Sequence, residues 1–174
     1  MKKYIILSTS FIFIICTFIH FLYDIIPCAF TSIFAPVNES TFEHMKMIFT
    51  SVLIYSIAEY FIFKKNNFNN FIFSTFIKDI STIIIFLTFY LPIYYRFGEK
   101  MILTFILLYI SLLIGSYISY KIYNIKNLHL NILSIILIII SYIVFGYLTY
   151  NPIKIHFFFD VSEEKYGIND YLIN

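Results

Sequence analysis

Five apolar runs, each long enough to cross about 30 Å of hydrocarbon at ~1.5 Å per residue, decide what this chain can become. They lie near residues 4–23, 44–63, 78–97, 101–120 and 130–150. Only 13% of the residues are charged against 60% hydrophobic, and a soluble domain carries about 25% charged residues. Such a chain cannot cover its apolar surface with polar groups, so the bilayer is its expected solvent and helices its expected spanning elements. The reading is an all-α polytopic protein: one integral membrane domain over 1–174, a bundle of five transmembrane helices, and an extracytoplasmic tail from 151. Lys2 and Lys3 precede the first run as in a signal peptide. Its apolar part is longer than a signal core, and no small-x-small cleavage site follows, so it reads as a retained helix.

Lys and Arg in the connections set the expected orientation. With the N-terminus inside, Lys2, Lys3, Lys64, Lys65, Lys78, Lys121 and Lys126 are cytoplasmic. Lys46, Arg96, Lys100, Lys154 and Lys165 are then outside. Seven against five favours a multi-pass protein of a bacterial plasma membrane with its N-terminus in the cytoplasm. A net charge of +2, without any dense basic tract, excludes nucleic acid as a partner. The bilayer is the partner that the composition specifies. Cys16 and Cys28 fall at different depths and have no metal-type spacing, so both read as ordinary thiols.

Polar chemistry concentrates in "APVNESTFEHMK", from Ala35 to Lys46. "STFE" has the form of a capping box: Ser40 caps the second helix while Glu43 reaches back to the Ser40 amide. Capping leaves Asn38, Glu39 and His44 without a purpose. His44 lies in the first helical turn, where the positive helix end disfavours an imidazolium. His20 and Asp24, in "HFLYD", are spaced i and i+4 and so are expected to be neighbours on one helix face. A carboxylate at a helix C-terminus opposes the dipole. The end of the first helix and the start of the second share one side of the membrane, so these groups can converge.

Imidazoles with carboxylates are the ligand set of Zn²⁺, Mn²⁺ and non-haem iron. His20, Asp24 and His44 are therefore the candidate ligands of a divalent metal. Glu39 and Glu43 are candidate general bases, grouped with Asn38 as candidate catalytic residues. The competing readings are a polar interface pair for His20 and Asp24, and plain capping for Glu43. Glu59 and Asp79 read as acids near helix ends that snorkel or pair with Lys64 or Lys78. "KKNNFNNF" (64–71) reads as a solvated loop. "YRFGEK" reads as a hairpin turn around Gly98. His129 reads as a solvated loop residue. The tail reads as a short extended segment, with His156 and Asp160 placed to roof the cluster.

"HFLYD" at 20–24, "PVNESTFEHMK" at 36–46 and "FFFDVSEEKYGI" in the tail resemble a family of small multi-pass proteins from Gram-positive bacteria, a domain of unknown function. Pro36, Val37, Asn38, Glu39, Ser40, Glu43, His44 and Lys46 match its motif, with Phe42 where Trp is usual. Asp160, Tyr166, Gly167 and Ile168 match its tail, with Val161 in place of Pro. The resemblance implies which residues matter and carries no activity. Three functions remain open: a metal-dependent membrane enzyme acting on a lipid or envelope-linked substrate, an ion or solute transporter or channel subunit, and an assembly protein without catalysis.

Overall fold

A computed structural model describes residues 2–63, 69–98 and 100–168. The readings placed on Lys64 and Lys65 fall outside the described residues. The fold is all-α, 78% helical with almost no strand. Among the described residues five helices are long and apolar enough to cross a membrane. In chain order the helices are α1 (Lys2–His20), two short ones, α2 (Leu22–Ile25) and α3 (Ala29–Phe34), then α4 (Thr41–Phe63), α5 (Phe71–Phe97), α6 (Met101–Tyr123) and α7 (Asn131–Tyr150). A 3₁₀ turn at His156–Phe158 leads into a two-stranded hairpin, β1 (Phe159–Asp160) and β2 (Lys165–Tyr166). The strands pair antiparallel, Phe159 opposite Tyr166 and Asp160 opposite Lys165.

Helices that are apolar all round must bury one side against each other and leave the rest to lipid. Ile12, Cys16, Met47, Ile48, Val52, Phe86 and Leu112 form the main core between α1, α4, α5 and α6. A second, aromatic core of Phe42, Phe49, Phe145 and Phe158 joins α4, α7 and the tail. Large side chains such as Phe18, Phe61, Ile102 and Ile132 face outward, the surface expected of a lipid-facing bundle. The α5–α6 hairpin turns at Gly98, which caps α5 with a φ of +69°. Further along the same interface Gly115 has no room for a side chain, since an added Cβ would lie 2.2 Å from Thr82 Oγ1.

Two sequence readings change here. α5 begins at Phe71 rather than near 78, so Lys78 and Asp79 lie two turns inside it. The apolar stretch Phe71–Ile77 continues the helix through the charged pair, because both side chains are buried inside the protein. In the connection read as solvated, Asn70 is fully buried. Its amide donates to the carbonyls of Ile122, Ile125 and Lys126 at 3.1–3.3 Å and accepts the Leu128 N–H at 2.8 Å. One asparagine thus satisfies the carbonyls left open at the end of α6.

Candidate metal centre

The polar cluster is assembled by a break in the first helix. α1 stops at His20, and the chain turns at Phe21 (φ −93°, ψ 0°) into α2 and then α3. This detour returns residues 35–40 over the end of α1 just before α4 starts. It is held by Lys46, buried in the second turn of α4, which donates to the Ser32 carbonyl at 2.7 Å, and by Thr50, which donates to the Phe34 carbonyl at 2.6 Å.

Glu39 then stands between two imidazoles. Its Oε2 is 3.3 Å from His44 Nε2 and its Oε1 is 3.8 Å from His20 Nε2. One ligand atom from each of His20, Glu39 and His44 lies within 4.8 Å of the others. Donors about 2.1 Å from a tetrahedral ion are about 3.4 Å apart, so the His44–Glu39 pair is already at ligand spacing and the wider separations would have to close by up to about 1.4 Å to hold a cation. His44 Nδ1 lies 2.9 Å from the Ser40 carbonyl, which only accepts. Nδ1 therefore carries the hydrogen and Nε2 presents its lone pair to the cluster in the neutral ring. His20 stacks on Phe21, and its buried Nδ1 has no hydrogen-bond partner. When His44 is protonated, its Nε2–H donates to Glu39, and this bond with the charges of the two imidazoliums outweighs desolvation and holds the Glu39 carboxyl below the usual carboxylate range.

Of the sequence candidates, then, His20, Glu39 and His44 come together. Asp24 is exposed on α2 and outside the group, because the helical register that would align it with His20 ends at Phe21. Glu43 and Asn38 are also elsewhere. Ser40 Oγ does accept the Glu43 N–H at 3.4 Å, but the Ser40 N–H goes to Asn38 Oδ1 at 2.9 Å, so the box is not reciprocal. The Glu43 carboxylate instead accepts from the Val37 N–H at 3.1 Å and from Thr149 Oγ1 at 2.9 Å, and pairs with Lys46 at 2.5 Å. Lys46 also donates to Thr149 Oγ1 at 2.8 Å. Glu43, Lys46 and Thr149 form a closed, buried knot between α4 and α7. The i,i+3 spacing of Glu43 and Lys46 is the signal that would have exposed it.

The tail clamps the loop from behind. Asp160, fully buried, accepts the Glu39 N–H at 2.8 Å, while Asn38 Nδ2 donates to the Gly167 carbonyl at 3.2 Å. His156 is not part of this roof and packs on Tyr94, Tyr95 and Phe159. Gly167 has a φ of +56°, and a Cβ there would lie 2.4 Å from the Thr149 carbonyl. Gly167→Ala is expected to lower stability by at least about 2 kcal/mol, from left-handed backbone plus overpacking. Thermal unfolding measures it, and faster proteolysis after α7 should accompany it.

An apolar cavity of about 310 Å³ opens directly beside the cluster. Phe13, Phe21, Met47, Phe86, Phe105 and Leu108 line it, and His20, Glu39 and His44 form its polar end.

The sequence matches a family of unknown function, DUF6512, over residues 1–168. The chain belongs to that family. Comparison with curated proteins and with solved structures gives no match for this DUF6512 member. Its helices are compatible with a membrane protein, and the chemistry must be read from the site.

Proposed function

We propose that this protein is a metal-dependent membrane enzyme, one integral domain acting on a lipid or envelope-linked substrate at the outer face of the plasma membrane. The observation that carries it is the His20–Glu39–His44 group at the polar end of an apolar cavity. A headgroup bond placed at the cluster would leave its acyl chain in the cavity, shielded from water. A bound divalent ion would polarise the scissile bond and activate a water. His20 and His44 would hold it through Nε2. Glu39, half-exposed with two oxygens at the site, would complete the set and take up the water's proton. Asn38, Glu43 and Asp160 position the Glu39 loop from outside the reacting atoms.

Purified protein stripped with chelator and reloaded with Zn²⁺ or Mn²⁺ should retain close to one ion per chain, and His44→Ala should retain none while remaining folded. Equal metal retention by wild type and variant rules the reading out. The orientation has its own check: alkaline phosphatase fused after residue 168 should be active, and fused between α4 and α5 inactive. The reverse pattern moves the site to the cytoplasm. A second reading, an ion-translocating subunit, is favoured by one observation, the buried Glu59, Lys78 and Asp79 within the bundle.

A further inference from the structure

Asp79 is a buried acid that the site at the end of α1 does not use. It is fully buried on α5, and neither carboxyl oxygen has a hydrogen-bond partner. Thr82, one turn further along α5, and Ser56, on the adjacent α4, are also buried with unpartnered hydroxyl oxygens. An ionised carboxylate with no donor in an apolar interior is among the costliest arrangements a protein can hold.

The surrounding charges do not remove that cost. Lys78 is the adjacent residue, but its Nζ lies over the Tyr55 ring of α4 at 5.1 Å. It lines a cavity of about 170 Å³ together with Glu59 and Tyr4. Tyr4 donates to Glu59 at 2.5 Å. Glu59 is thus the acid that shares this cavity with Lys78. Cys16 of α1 and Tyr142 of α7 also lie within electrostatic range of Asp79, and neither side chain can carry a positive charge. With both acids ionised, Glu59, Lys78 and Asp79 carry a net −1 inside the bundle. With Asp79 protonated they sum to zero.

We propose that Asp79 is a proton-binding site inside the helix bundle, occupied at neutral pH so that the side chain is a neutral carboxylic acid. A proton fits better than a metal cation. α5 runs unbroken from Phe71 to Phe97, so the carbonyls around Asp79 are committed to helix bonds. A sodium ion would lack the unwound backbone oxygens that such sites use, and Lys78 would repel it. Held between the polar cavity at Glu59 and the cluster at His20, this acid is a proton store that neither end of the bundle contains.

Infrared spectroscopy of the full chain in lipid tests this. Wild type at neutral pH should show the carbonyl band of a protonated acid, shifted by aspartate-selective ¹³C labelling. The band should persist in Glu59→Gln and disappear in Asp79→Asn, whose neutral amide should leave the unfolding temperature close to wild type. The proposal is overturned by absence of the band, or by its survival in Asp79→Asn. Should the Asn variant not fold, the labelled wild type still decides. Asp24 is exposed, and Asp160 accepts from the Glu39, Ser162 and Glu163 N–H groups, so neither is a buried carboxyl without donors. A labelled band that outlasts the ordinary aspartate range marks Asp79, and one that titrates away within it overturns the site.

Discussion

Lys46→Ala should destabilise the protein by about 3–5 kcal/mol, the expected cost of leaving one member of a buried ion pair uncompensated. Both partners are essentially inaccessible, at 0% and 1% side-chain exposure. Removing the ammonium also leaves the Ser32 carbonyl without its donor. Glu43→Gln should be milder, since an amide keeps a bond to Thr149 or to the Val37 N–H and Lys46 keeps two oxygen partners. The paired replacement Glu43→Gln with Lys46→Met should recover most of the loss, because no unpaired charge remains. Denaturation in lipid or mild detergent measures all three. If Lys46→Ala unfolds like wild type, the knot contributes little and Glu43 is returned to the candidate bases.

The second large effect concerns the metal. Outer-shell changes already cost about 10–100-fold in affinity, so His20→Ala and His44→Ala are each expected to weaken Zn²⁺ binding by more than about 100-fold. Asp24→Asn should leave binding unchanged. Affinity should fall on acidification, as protons compete with the ion for the imidazole nitrogens. The Glu39 carboxyl titrates below the ordinary range, so its contribution is complete above that range and is lost only as pH falls through the lowered value. Titration calorimetry across pH 5–8 separates the two groups. A loss of affinity confined to more acidic conditions would point to the carboxylate instead.

Much of this was legible in the residues, for reasons that differ by element. Helix number follows from apolar run length, which no tertiary contact is needed to read. Helix starts were less secure wherever a charge stood for water. In sequence Lys78 reads as the end of a span, yet it is interior. Lys46 and Lys78 read as loop charges that set orientation, yet both are buried in helices. Setting them aside leaves 7 − 1 = 6 against 5 − 1 = 4, the same sense on fewer residues.

At the site, the sequence placed the end of the first helix and the start of the second on one side of the membrane, where His20 and His44 could approach, and Glu39 lies close to His44 in sequence. What it missed depends on distant partners. Thr149 and Gly167 decide where Glu43 and Asn38 point, and both are more than a hundred positions away. Asp24 failed for a local reason, a helix break at Phe21 that has no Pro or Gly to announce it.

The tail clamp has a consequence for the order in which the protein is made. α1 and α4, with the histidines, are synthesised in the first third of the chain. The Glu39 N–H waits for Asp160, the Glu43 carboxylate for Thr149, and the Asn38 amide for Gly167. Contacts this distant in sequence form late, after local helices and hairpins. The cluster is therefore the last part of the molecule to mature, and a chain released before Gly167 would contain every cluster residue without the frame that aligns them.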